Sequence, residues 1–149
     1  MHNAAVKILA ACAVVLVVLL AAVPAGASRS TVVLFRTPSG NISCAYNSAL
    51  GGSIRAGLRC DIRSGLEPTP PHPQNCDLDF GDSVGLNRTG HAYYVCHGDT
   101  VQDPHASVLR YGTTWRKNGF TCTSRTTGLR CSNVSSHGFF LSRQQSFRF

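Results

Sequence analysis

The sequence predicts an all-β fold, a small antiparallel β-sandwich or partly closed barrel of hairpins stapled by three disulfides. Three observations carry this. From residue 28 onward no stretch repeats its apolar residues with a 3.6-residue period, which removes amphipathic helices. Short alternating segments stand there instead, separated by Gly, Asn, Thr and Pro, the pattern of strands and turns. The cysteines in these segments share a strand face with apolar residues two positions away, as a cystine inside a sheet core must.

Residues 1–27 read as a signal peptide. Lys7 gives a positive start, residues 8–23 are almost wholly Ala, Val and Leu, and Pro24 precedes the small-x-small triplet Ala25-Gly26-Ala27. Cleavage is expected after Ala27. An uncleaved anchor fits less well, because the apolar run falls short of the ~20 residues that span a bilayer. Leu9-Ala10-Ala11-Cys12 resembles a lipobox, but its apolar region follows the cysteine instead of preceding it. The mature chain, residues 28–149, suits one domain with one modest core. Cleavage removes Cys12 and leaves six of the seven cysteines. An even number in an exported chain makes disulfides the expected state.

The elements follow in order. Ile42, Cys44 and Tyr46 lie on one face of a first strand, and Leu58, Cys60 and Ile62 on one face of the next. Gly51-Gly52-Ser53 offers the connection, and a Cys44–Cys60 bridge follows. Residues 63–75 carry Pro68, Pro70, Pro71 and Pro73, so they cannot join a sheet and form an extended Pro-rich loop. In a second pair, Cys76, Leu78 and Phe80 share a face with Asp77 and Asp79 opposite. The returning strand groups Ala92, Tyr94 and Cys96 against His91, Tyr93, Val95 and His97. A Cys76–Cys96 bridge is expected, although the best turn signal, Asn87-Arg88-Thr89-Gly90, sits late for such a hairpin and calls for a bulge or wide loop.

Residues 99–105 read as loop, and 108–111 and 113–116 as strands. Asn118-Gly119 is a hairpin turn into Phe120. Phe120 and Cys122 then face Leu129 and Cys131 across Arg125-Thr126-Thr127-Gly128, which gives the third bridge, Cys122–Cys131. A last strand at 138–142 precedes a polar tail ending in Phe147 and Phe149. Gly57-Leu58-Arg59-Cys60 is echoed by Gly128-Leu129-Arg130-Cys131 at the equivalent place in two hairpins, from duplication or from convergent hairpin chemistry.

Function is less legible. The net charge is +7, and the arginines are dispersed with no run of three. That fits a solubilising surface with a general affinity for anionic envelope polymers better than a nucleic-acid groove. Reactive residue types converge only on the outer face of the second hairpin, where Asp77 and Asp79 share a face with His91 and His97 and lie near Asp99. Cross-strand neighbours of this kind can hold a metal or act as an acid–base pair; a solvated face with ordinary ion pairing is the plainer reading. No compact zinc-ligand spacing appears, no G-x-S-x-G accompanies Ser136-His137 or Ser142, and bridged cysteines offer no thiol nucleophile. No catalytic residue, metal or cofactor is therefore assigned. Tyr93, Tyr111 and Trp115 would form a carbohydrate platform if exposed, with the core the plainer place for Trp115. Arg130 and His137 are the ligand contacts the third hairpin would offer, and an arginine one position before a cystine is ordinarily only solvated. Asn41, Asn87 and Asn133 head glycosylation sequons.

The motifs F-R-T-P-S-G-N-I-S-C, L-R-C-D-I, C-D-L-D-F-G-D-S, V-C-H-G-D-T, Y-G-T-T-W, G-F-T-C, T-G-L-R-C and H-G-F-F-L-S-R resemble a family of small secreted actinobacterial proteins catalogued as a domain of unknown function. The likeness spans nearly the whole mature chain. It implies a signal peptide, a disulfide-bonded extracellular domain and a cell-envelope setting, and it carries no activity or site. The expectation is a secreted, non-enzymatic binding or structural module of the cell envelope. Its partner would be an envelope glycan, an anionic polymer or another secreted protein, with no nucleic acid, and with membrane contact only through the signal segment before cleavage. The alternative is a secreted hydrolase or metal-dependent enzyme using the His/Asp face. A third reading is an extracellular inhibitor presenting the Pro-rich loop.

Overall fold

The computed structural model describes residues 31–48 and 57–149. The signal segment, its cleavage point, Cys12 and the Gly51-Gly52-Ser53 connection lie outside the described residues. Among the described residues there is no helix, and none that is long and apolar enough to cross a membrane.

Among the described residues eleven strands form two sheets. The first contains β1 (Val32–Arg36), β2 (Ile42–Asn47), β3 (Gly57–Ile62), β4 (Ser83–Asn87), β5 (Tyr93–Tyr94) and β6 (Ser107–Val108), in the order β5-β4-β3-β2-β1-β6. The second contains β7 (Thr114–Lys117), β8 (Phe120–Arg125), β9 (Gly128–Ser132), β10 (Gly138–Leu141) and β11 (Ser146–Arg148), in the order β11-β10-β9-β8-β7. The sheets do not close on each other, so the fold is a sandwich and not a barrel. All neighbours are antiparallel except β6, which runs parallel to β1.

Alternation decides what each strand gives the core. Ile42, Cys44, Tyr46, Leu58, Cys60, Ile62, Val84 and Leu86 of the first sheet are buried against Phe120, Cys122, Leu129, Cys131, Phe139 and Leu141 of the second. Trp115 closes one side, with its ring 4.9 Å from Phe35 and 5.7 Å from Tyr46. The three cystines pair as expected, Cys44–Cys60, Cys76–Cys96 and Cys122–Cys131, the first and third inside the core as the parity of the apolar positions requires, whereas Cys96 of the second is exposed. Three bridges imply an oxidising environment.

The Gly-Leu-Arg-Cys echo has a structural counterpart. One cross-strand rung of the first sheet reads Phe35–Cys44–Cys60–Val84. The matching rung of the second reads Trp115–Cys122–Cys131–Phe139. Each sheet is thus centred on a cystine flanked by an aromatic ring, and the two rungs face each other across the core.

The second hairpin differs from expectation. The partner of Tyr93–Tyr94 is Ser83–Asn87, with Val84 opposite Tyr94 and Gly85 opposite Tyr93. Residues 76–80 contribute only an isolated bridge between Asp79 and His97. The physical reason is burial. Val84 and Leu86 cover Cys60 and Leu58 of β3, whereas Leu78, expected inside, is 56% exposed. The turn at Asn87-Arg88-Thr89-Gly90 is therefore in its natural place, with Gly90 at φ +82°, and the Cys76–Cys96 bridge ties a loop instead of two paired strands. The C-terminal tail is also not loose: β11 pairs with β10, and Phe149 exchanges two backbone hydrogen bonds with Gly138.

The Pro-rich segment, residues 63–75, has no strand, as its composition requires. It is nonetheless fastened. The Leu66 amide donates to Gly81, the Ser146 amide of β11 donates to Glu67, and Pro70 is buried.

Residues 95–106 have to travel from β5 at one edge of the first sheet to β6 at the other, and they do so across its outer face. The anchor is Asp61, an outward residue of β3 that is wholly buried beneath this strap. Its carboxylate accepts hydrogen bonds from Arg59 (2.9 and 3.1 Å), Ser83 (2.7 Å), Thr100 (3.1 Å) and the Val101 amide (2.9 Å). Arg59 also donates to Asp99 at 2.7 Å. Its hydrogen bond, and then its charge, hold the exposed Asp99 carboxyl below the ordinary value of 3.8. The unfolded chain therefore takes up this proton first on acidification. The contact stabilises above about pH 4 and is lost as pH falls through the lower folded-state value. We expect the difference in melting temperature between wild type and Asp99→Asn to be present at pH 6, small because the group is exposed, and to shrink as pH is lowered from 4 to 2. An undiminished difference at pH 2 would contradict this origin.

Candidate functional site

The residues singled out as a His/Asp face are not assembled into one site. Asp77 and Asp79 are exposed on the loop after Cys76. His97 is buried at 6% exposure, with Nε2 2.8 Å from the Asp82 carboxylate and Nδ1 2.6 Å from the Asp99 carbonyl oxygen. Both ring nitrogens face oxygen acceptors, so neither is available to a substrate; His97 fastens the start of the strap. His91 lies elsewhere, on the β4–β5 connection, with its ring 3.7 Å from that of His137 in the β9–β10 turn. At the same end of the sandwich Asn133 donates to the carbonyls of Asn87 and Gly90, tying that turn to the first sheet. Its buried, fully engaged amide removes the third sequon from use. Among the described residues no three His, Cys, Asp or Glu side chains are grouped to hold a metal ion.

The aromatic trio is dispersed as well. Trp115 faces the core, half-buried. Tyr93 lies over Gly85 on the outer face of the first sheet, where a Cβ on that glycine would fall 2.5 Å from its ring. Tyr111 sits at the end of the sandwich, beside Arg125 and the Thr126-Thr127 turn.

What does come together lies on the outer face of the second sheet. The register places Thr114, Thr123, Arg130, Phe140 and Phe147 in one row across all five strands. Arg125, at the end of β8, flanks it. Thr123, Arg125, Arg130, Phe140, Gln145 and Phe147 line an open cleft of about 370 Å³. Arg125 also borders a second cleft at the end of the sandwich, shared with Ser39, Asn41, Tyr111 and Arg143.

The aromatic residues here are held on the surface by one another. Phe140 and Phe147 stack at 5.3 Å with 25° between their planes, Phe147 reaches Phe149 at 6.3 Å, and the Arg130 guanidinium lies 3.7 Å over the Phe149 ring.

Charge separates the two sheets. All seven Asp and Glu residues lie between positions 61 and 103. Residues 104–149, which contain β6 and the whole second sheet, carry Arg110, Arg116, Lys117, Arg125, Arg130, Arg143 and Arg148 and no carboxylate side chain. The two echoed arginines differ accordingly. Arg59 is engaged with Asp61 and Asp99 under the strap, so the expectation of a solvated side chain fails for it. Arg130 is exposed on an uncovered face, with no carboxylate partner among the described residues. Sequence reasoning looked for runs of arginine and missed this face; the confinement of every acid to one segment was the signal that would have found it.

A model described as Family of unknown function (DUF6636) matches residues 14–149. The chain belongs to the DUF6636 family. No curated protein and no solved structure matches this DUF6636 chain. Its site therefore stands on geometry and charge.

Proposed function

We propose that this protein is a non-enzymatic binding module of the extracellular cell envelope, and that its ligand is an anionic polymer held on the outer face of the second sheet. One observation carries the reading: residues 104–149 hold seven cations and no carboxylate side chain, and the register turns Arg116, Arg125 and Arg130 to the outer face of the second sheet, while Lys117 and Arg148 lie over Tyr46 and Tyr94 of the first. A field of one sign over a flat, open face attracts a polyanion and holds it through several weak contacts. Export is part of the same reading, supported by the leader-like residues 1–27 and by three cystines.

The test is binding to long-chain polyphosphate at low and moderate salt. The double variant Arg125→Glu/Arg130→Glu is expected to bind at least about tenfold more weakly, since each charge-assisted contact contributes roughly 1.5–3 kcal/mol. Arg63→Glu/Arg88→Glu alters net charge equally, at the turns that follow β3 and β4 and away from this cleft, and should change binding far less. Equal losses in the two doubles would remove the second sheet as the site.

A further inference from the structure

Resting on that reading, we propose that the polymer is an anionic polysaccharide, and that Phe140 and Phe147 stack on one of its sugar rings beside Arg125 and Arg130. The row from Thr114 to Phe147 crosses four inter-strand gaps, a straight track of roughly 19 Å at ~4.8 Å per gap. A linear chain laid along it meets hydroxyls, then a guanidinium, then two rings.

The rings are preorganised. Gly128 leaves space that Phe140 fills: a Cβ there would stand 2.6 Å from Phe140 Cζ, so the ring lies against the strand. Phe147 is stacked on it and is still 42% exposed. A large apolar ring fixed in that position offers a flat surface to a partner without further ordering.

The chemistry around the rings is mixed in a way a plain polyanion does not require. Guanidinium groups suit uronate or phosphate oxygens. The Thr123 hydroxyl and Gln145 amide suit sugar hydroxyls, and a ring face suits the C–H face of a pyranose. A flexible polyacid would use only the arginines.

The experiment measures affinity of the whole oxidised chain, as wild type, Phe147→Ala and Phe147→Leu, for three probes: polygalacturonate, poly-L-glutamate of matched charge, and oligo-dT. Wild type is expected to bind polygalacturonate at least tenfold more tightly than poly-L-glutamate. Phe147→Ala should weaken polygalacturonate binding about fivefold and leave poly-L-glutamate within twofold. Phe147→Leu keeps apolar packing on Phe140 without a ring and should show the same loss; wild-type affinity in Phe147→Leu beside a loss in Phe147→Ala would trace that loss to a perturbed β11 and overturn the stacking site. Equal affinity for the two polyacids, unchanged by either variant, overturns the sugar-stacking site and leaves the polyanion reading standing. Tighter, ring-dependent binding of oligo-dT replaces the polysaccharide with a single-stranded nucleic acid and overturns the proposal. Binding to none of the three overturns both readings together.

Discussion

Gly138→Ala is expected to cost more than about 3 kcal/mol, a large share of the ~5–15 kcal/mol that holds a domain of this size folded. Gly138 opens β10 opposite Ser132 and bonds Phe149 through both its amide (2.8 Å) and its carbonyl (2.9 Å). An added Cβ would run into the carbonyl oxygen of Cys131 and stand 2.7 Å from Phe149 Cζ. Neither neighbour can easily give. Cys131 is bridged to Cys122 at the centre of the sheet, and the Phe149 ring is held under Arg130. Relief requires β10 to part from β9 or β11 to detach. Gly98→Ala is the control: its nearest neighbour would be the exposed Leu78 side chain at 3.6 Å, and it should fall within about 0.5 kcal/mol of wild type. Urea melts of the oxidised proteins make the comparison. A loss below about 1 kcal/mol for Gly138→Ala would show that the contact yields at little cost.

Asp61→Ala is expected to cost about 3–5 kcal/mol, because it leaves donors that were arranged around a buried carboxylate without their acceptor. The Arg59 guanidinium, the Ser83 and Thr100 hydroxyls and the Val101 amide all converge on it. Asp61→Asn keeps the shape but turns an amide donor toward these donors, so an intermediate loss follows. The effect should be local before it is global. Amide exchange at Val101 and proteolytic nicking within residues 97–106 should rise at denaturant concentrations where the Cys122–Cys131 hairpin is still protected. A Val101 amide as protected in Asp61→Ala as in wild type would place the anchor of the strap elsewhere.

These two residues also mark the limits of what the sequence discloses. The cystine pairing was legible because parity is a local rule: Cys44 and Cys60 each sit two positions from residues that had to face inward. Asp61 obeys the same rule and points out of the core, yet it is wholly buried. Its burial comes from Thr100 and Val101, about forty positions later, and no periodicity announces a loop that crosses a sheet. Residues 76–80 misled for the opposite reason. Their alternation is that of a strand, but the place beside β3 went to Ser83–Asn87, which brings Val84 and Leu86 in place of Leu78. The candidate site was legible only in part. Arg130 could be placed outward from its position before Cys131. The grouping of His91 with His137, and of Phe147 with Phe140, depends on which strands end up adjacent.

The sheet margins have a consequence for behaviour at high concentration. A free β-edge recruits strands from other molecules, and long flat edges seed aggregates. Here β5 and β6 are two residues each and β11 is three. The remaining margin, β7, carries Arg116 and Lys117 in its four residues. Each sheet is thus closed off by a stub or by charge, which keeps a protein with little more than β-structure from adding copies of itself to its own borders.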